Sequence, residues 1–151
     1  MTNLTQPLHD HHKHCDELFA AAEADAHGAK WDSCEDALTR FQEELEAHFC
    51  TEEQVLFPAF ETATGMAGGP TQMMRFEHTQ MRDLVGQLSA ALAARDREAF
   101  AGTAETLLIM MQQHNMKEEN ILYPMCDRSL PSGTVDVAGA LKQRLEAECL
   151  V

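Results

Sequence analysis

At 151 residues the chain can bury roughly 68–70% of its unfolded surface in one core, and 11 basic against 25 acidic residues give it a net charge of −14. A surface that negative repels phosphate backbones and anionic lipid headgroups, so neither nucleic acid nor a membrane is expected as a partner. Five scattered cysteines (Cys15, Cys34, Cys50, Cys126 and Cys149) contain no Cys-x-x-Cys pair and build neither a disulfide framework nor a zinc ribbon.

The predicted elements are all helical, as expected for a composition rich in Ala, Leu, Glu, Gln and Met and poor in β-branched runs. A first helix starts near Thr5, with Pro7 suited to its first turn, and runs to about Ala26 before Gly28. The second runs from near Asp32 through Phe57, where Pro58 discourages continuation. The stretch TATGMAGGP, from Thr62 to Pro70, is the clearest loop. A third helix follows Pro70 to about Ala94, and a fourth begins at the N-cap Asp96 and reaches Tyr123 before Pro124. The loop around Ser129 to Gly133 leads to a short amphipathic segment carrying Val137, Leu141, Leu145 and Leu150, which would cap the bundle or pair two chains.

Four long helices with short or medium connections pack as an up-down-up-down four-helix bundle with a short additional C-terminal helix. One domain over 1–151 is expected, with its bundle core at about 5–128 and a C-terminal segment at 129–151. No apolar stretch approaches the length of a membrane span, and the N-terminus lacks the basic and apolar regions of a signal peptide. A reducing cytoplasm is the expected home, with the chain a monomer or homodimer.

Comparison of the chain with itself is the informative step. Residues 48–58, HFCTEEQVLFP, and 114–124, HNMKEENILYP, share the pattern His-x-x-x-Glu-Glu-x-(Val/Ile)-Leu-aromatic-Pro at an offset of 66 residues. The same offset pairs His12 with His78, Cys15 with Met81 and Leu18 with Leu84. With eight histidines in the chain, coincidences at several positions of one offset are improbable.

His48 and Glu52 are four apart and share a helix face, as do His114 and Glu118. Leu38, Phe41 and Leu45 lead that face into His48; Leu107, Met110 and Met111 lead into His114. Four helices therefore aim four imidazoles and two carboxylates at one core, where unpaired carboxylates would cost several kcal/mol each. Metal cations remove that cost, and imidazole with carboxylate suits iron, manganese or zinc. Two cations fit the ligand count, each taking two histidines while Glu52 and Glu118 bridge them. Positions left open for an oxo or hydroxo bridge and a small ligand point to iron and diatomic chemistry.

This order of lone His, HxxxE, lone His, HxxxE, closed by EEQVLFP and EENILYP, resembles the hemerythrin-like HHE cation-binding domain over about residues 5–128. The resemblance implies two iron ions in a four-helix bundle, with metal ligands His12, His48, Glu52, His78, His114 and Glu118. Oxygen-carrying hemerythrins have a further histidine one turn beyond the third-helix ligand; Arg82 stands there and cannot ligate. The ligand set is closer to that of di-iron proteins implicated in repairing iron centres under nitrosative stress. The resemblance thus implies a protein that binds or senses O2, NO or a related small ligand, or handles iron under oxidative or nitrosative stress. The alternative is an enzyme that turns over peroxide or NO, or donates iron for repair.

Other residues read more plainly. His11 competes with His12 for the inward position, although the repeat favours His12. Glu53 and Glu119 read as surface or supporting groups, Trp31 and Tyr123 as helix-end anchors, and Met73, Met74, Met81, Met110, Met111 and Met116 mainly as core. Cys15 and Cys50 fall near the site by spacing. His9, His14 and His27 read as exposed, and no additional acid or base is evident beside the ligands.

Overall fold

A computed structural model describes residues 3–131 and 133–148; Ser132, Cys149 and Leu150 lie outside the described residues. The described chain is helical without strands. Its elements are α1 (Gln6–His27), α2 (Trp31–Thr51), α3 (Phe57–Thr64), α4 (Pro70–Ala93), α5 (Arg97–Lys117), α6 (Tyr123–Ser129) and α7 (Val137–Glu148). Two five-residue π-turns, Glu52–Leu56 and Glu118–Leu122, join α2 to α3 and α5 to α6 without a break. The expected ends at Phe57 and Tyr123 are therefore corrected: the helical rods run on to Thr64 and Ser129.

The prolines explain both the expectation and its failure. In a regular α-helix, the ring of Pro58 would press on the carbonyl four residues earlier. The chain instead opens its turn by one residue, so that Phe57 N–H donates to Glu52 O and Tyr123 N–H donates to Glu118 O. Pro58 has no N–H with which to serve the next carbonyl, and Arg75 Nη1 takes that role, donating to Glu53 O at 3.1 Å.

Helix α1 packs on α2, α2 on α4, α4 on α5 and α5 on α1, closing the four-helix bundle. Helix α7 lies against α2, α1 and the first π-turn, with Val137 and Leu141 buried. Thr5 ties the N-terminal end to α6 through two 3.0 Å hydrogen bonds from its N–H and hydroxyl to Asp127. Asp96 caps α5 by accepting from Ala99 N–H at 3.0 Å.

The repeat seen in the sequence is built into the packing. The buried pairs Leu8 and Met74, Cys15 and Met81, Cys34 and Phe100, Phe41 and Leu107, Leu45 and Met111, and Leu56 and Leu122 all stand 66 residues apart. The turns repeat as well. Ala29 (φ 56°) and Arg95 (φ 55°) hold left-handed conformations at equivalent ends of α1 and α4. After them Lys30 N–H donates to Asp25 O and Asp96 N–H to Ala91 O, the six-to-one bond that closes a helix C-terminus.

Two apolar clusters divide the interior. One, around Phe19, Phe41, Phe49, Leu88, Phe100 and Leu107, fills one end of the bundle. The other, around Leu8, Leu56, Phe57, Phe60, Leu122 and Cys126, fills the end where α3, α6 and α7 meet. The buried histidines and glutamates lie between them. Two of the methionines read as core are corrected: Met73 and Met116 are exposed, whereas Met74, Met81 and Met111 are buried. No helix of the described residues is long and apolar enough to cross a membrane.

Candidate metal centre

The structure brings all six expected ligand residues together, and all six are buried. They form two groups. His12, His48, Glu52 and Glu118 offer one ligand atom each within 4.8 Å of one another, and Glu52, His78, His114 and Glu118 do the same. Both glutamates belong to both groups, one oxygen to each. Glu52 Oε2 lies 3.5 Å from His48 Nε2 and Glu52 Oε1 lies 3.1 Å from His78 Nε2. Glu118 Oε1 lies 3.0 Å from His12 Nε2 and Glu118 Oε2 lies 3.3 Å from His114 Nε2.

Each π-turn begins at one of these glutamates. The α-helical turn before it sets His48 under Glu52 and His114 under Glu118; the wider turn after it places Tyr123 and Phe57 beside the site. A π-turn at a helix's chemically occupied residues is a common device for re-aiming side chains.

Every inward histidine is held from behind through Nδ1. His12 Nδ1 lies 2.6 Å from Glu119 Oε2, and His78 Nδ1 lies 2.7 Å from Glu53 Oε2. His114 Nδ1 lies 2.8 Å from Glu77 Oε1, and Glu77 is itself paired with Lys117. His48 differs, its Nδ1 meeting His11 Nδ1 at 2.9 Å, with Glu44 behind His11 at 2.8 Å. Donation through Nδ1–H selects, for the neutral ring, the tautomer whose inward Nε2 is free to take a metal. His11 is thus the support of His48, and His12 is the one that faces the carboxylates.

The supports also follow the repeat, crossed between the halves: Glu53 backs His78 and Glu119 backs His12. His11 stands where Glu77 stands in the other half. Arg82 does not merely fail to ligate. Its guanidinium donates to Glu53 at 2.9 and 3.0 Å and to Glu46 at 2.9 to 3.2 Å, fixing the carboxylate behind His78. Phe49 stacks on His78 at 3.9 Å between centroids, closing that side.

Electrostatics follow from this packing. Burial pulls the imidazolium of His114 down, but Glu118, Glu52 and Glu77 outweigh it and raise its pKa to about 9. His12 and His78 move the same way, burial being outweighed by Glu118 and by Glu52 with Glu53 respectively. His11 is lowered to about 4 by burial and by the neighbouring His48. Burial would raise Glu53, but His78 and Arg82 hold it at about 2.

Five buried side-chain atoms lack a directed hydrogen-bond partner among the described residues: Arg144 Nε on α7, and Glu52 Oε1, His78 Nε2, His114 Nε2 and Glu118 Oε2, which meet one another only in the close pairs given above. The last four are the candidate ligand atoms of one group. Donor atoms orphaned together in a dry interior are costly unless a cation satisfies them, so this set fits a metal ion. In the other group Tyr123 intervenes. Its hydroxyl donates to Glu52 Oε2 at 2.6 Å, and burial with the two carboxylates pushes the phenol well above its ordinary pKa. The sequence reading of Tyr123 as a helix-end anchor is corrected: the continuing helix makes it a fully interior residue whose hydroxyl joins Glu53, Glu77 and Glu119 among the acidic groups beside the ligand cluster.

The family profile of the Hemerythrin HHE cation binding domain matches residues 3–126. The chain belongs to the hemerythrin HHE cation-binding domain family. Its relatives include the "Iron-sulfur cluster repair protein YtfE" of Salmonella schwarzengrund, Salmonella newport and Salmonella heidelberg. Each is 29% identical over 96 residues, covering 58% of this chain and 44% of the relative. The chain thus spans under half the length of these curated relatives. No solved structure matches it.

Cys15 and Cys50 sit close to this HHE centre, as their spacing indicated, but neither faces the ligands. Cys15 Sγ is 3.7 Å from His11 Nδ1, and Cys50 bonds Glu46 at 3.3 Å. Burial raises both thiols, that of Cys50 to about 11, so neither is a ready thiolate.

Proposed function

We propose that this HHE domain holds two iron ions on His12, His48, His78, His114, Glu52 and Glu118, and uses them to bind or sense a small ligand such as O2 or NO. The carrying observation is the pair of ligand groups that share both carboxylates, with four donor atoms orphaned in one of them. A pair of irons would supply two one-electron couples and coordination positions open to a diatomic molecule.

The chain's own residues provide the setting. Glu119, Glu53, Glu77 and His11 orient the imidazoles, and the two apolar clusters keep bulk water from them. His12 is the least covered of the six, at 6% exposure, and borders a cleft of about 470 Å³ lined by His9, Asp10, Lys13, Asp16 and Glu119. That cleft brings solvent to the edge of the centre at His12.

A second reading, iron donation for repair of damaged iron centres, draws on the Salmonella relatives, which are named for iron-sulfur cluster repair. Both readings share the metal centre and differ in what leaves it. Metal analysis with an optical spectrum of purified protein tests the shared part: about two irons per chain are expected. Titration with O2 or NO then gives a spectral change that reverses on removing the ligand, whereas a repair protein loses iron to an apo iron-sulfur acceptor. His114→Ala should cost most of the metal and the exposed His27→Ala none; equal metal content in both variants would sink the ligand assignment.

A further inference from the structure

The two ligand groups are related by the repeat but are not chemically alike. The position of Phe57 in one half is taken by Tyr123 in the other, 66 residues on. Phe57 lies beside His78, with ring centroids 5.9 Å apart, and offers no donor; there the four inward atoms stay unpartnered. Tyr123 stacks beside His12 at 5.7 Å and sends its oxygen into the His12 and His48 group.

That oxygen is near all four ligand atoms at once. Tyr123 Oη lies 2.6 Å from Glu52 Oε2, 3.2 Å from Glu118 Oε1, 3.3 Å from His48 Nε2 and 3.4 Å from His12 Nε2. Bonds from a metal to nitrogen and oxygen ligands run roughly 2.0–2.2 Å, which sets neighbouring ligand atoms about 3 Å apart. A phenol serving only as a hydrogen-bond donor needs one carboxylate oxygen; spacing of this kind to two carboxylate oxygens and two inward imidazole nitrogens is that of a member of the coordination sphere.

We propose that Tyr123 is a seventh protein ligand of the centre, giving its oxygen to the metal held by His12 and His48 and leaving the His78 and His114 metal with none. The assignment rests on the two-iron reading above. Tyr123 would bind a ferric ion as phenolate, its proton leaving to solvent, with the cation's charge offsetting the two carboxylates that otherwise oppose that loss. The centre is then asymmetric, with an all-imidazole-and-carboxylate position on one side and a phenolate-bearing one on the other. A coordination place at the His12 side is thereby occupied by protein, and small ligands are directed to the His78 and His114 side.

Tyr123 is the only tyrosine in the chain, which makes the test clean. Wild-type protein loaded with ferric iron is assayed for iron per chain and by resonance Raman spectroscopy in its visible absorption band. The expected result is a ferric-phenolate charge-transfer band with enhanced phenol-ring vibrations, shifted when the protein is grown on ring-deuterated tyrosine. Tyr123→Phe should lose the band while keeping iron at the other position. Iron bound to the wild type without phenolate vibrations overturns the assignment and leaves the metal centre standing. Absence of iron from the wild type is read in the metal count instead, and defeats the two-iron reading along with this one. Because the isotope shift is read on the wild type, a Tyr123→Phe chain that fails to fold does not blunt the test.

Discussion

An inward histidine that is to hold a metal must keep Nε2 bare, and only a partner on Nδ1 fixes that tautomer. Three of the four histidines here use a glutamate for the purpose, and Glu53 is the best anchored, lying between His78 and the Arg82 guanidinium. Such carboxylates raise the basicity of the ligand as well as orienting it, and losing one typically costs about 10–100-fold in metal affinity. Glu53→Gln should therefore weaken iron binding by about that factor in a chelator competition, while the exposed Glu17→Gln leaves it unchanged. An unaltered affinity in Glu53→Gln would mean that packing by Phe49 alone orients His78. The cluster of proposed ligands was legible because His-x-x-x-Glu is a one-face pattern and appears twice at a single offset. The partners were less so, since Glu44, Glu77 and Glu119 reach their histidines across helices and no spacing within one helix announces them. His11 does carry a signal in the sequence, being the repeat mate of Glu77.

At the scale of elements, the π-turns decide which side chains share the site. A residue inserted in a helix rotates everything after it by about 100°. The extra residue in Glu52–Leu56 lets His48 and Glu52 face the candidate metal centre while Leu56, Phe57 and Phe60 still enter the apolar cluster at the α3 and α6 end. Deleting Gln54 should close the turn to an ordinary α-helix and turn either the ligands or the aromatic residues out of the interior. The expected outcome is retained helicity by circular dichroism with loss of most of the metal and a lower melting temperature. Full metal content at unchanged stability would show the wider turn to be incidental. The same element explains the main misreading of the sequence. Proline is read as a stop because its ring obstructs a regular helix, but a turn opened by one residue passes it, and Tyr123 moves from a helix end to the interior. The four-helix architecture survived that error because α1, α2, α4 and α5 are specified by long apolar stripes that do not depend on where each rod ends.

For the whole molecule, the buried centre couples folding to pH in opposite directions with and without metal. In the metal-free chain, His114 has its pKa raised to about 9 by its carboxylate neighbours, and His12 and His78 are raised as well. An unfolded histidine titrates near 6.5, so folding binds protons in the interval above it. The stability this contributes is fully present below about 6.5 and is lost as pH rises through about 9, where Glu52 and Glu118 are left buried without a counter-charge. His11 acts on the other flank. Its pKa is lowered to about 4, so its contribution is present above about 6.5 and lost as pH falls through 4. Metal reverses the upper flank, because imidazole must give up its proton to ligate and binding tightens as pH rises. Chelator-stripped protein should therefore show a melting temperature that falls from pH 6.5 to 9, by roughly 2–4 °C for each kcal/mol lost. Iron-loaded protein should hold or gain stability across the same interval. Scanning calorimetry of the two forms in matched buffers measures the divergence. Parallel curves would mean that the histidines and glutamates are not the groups that metal and protons compete for, and the centre would have to be sought elsewhere in the bundle.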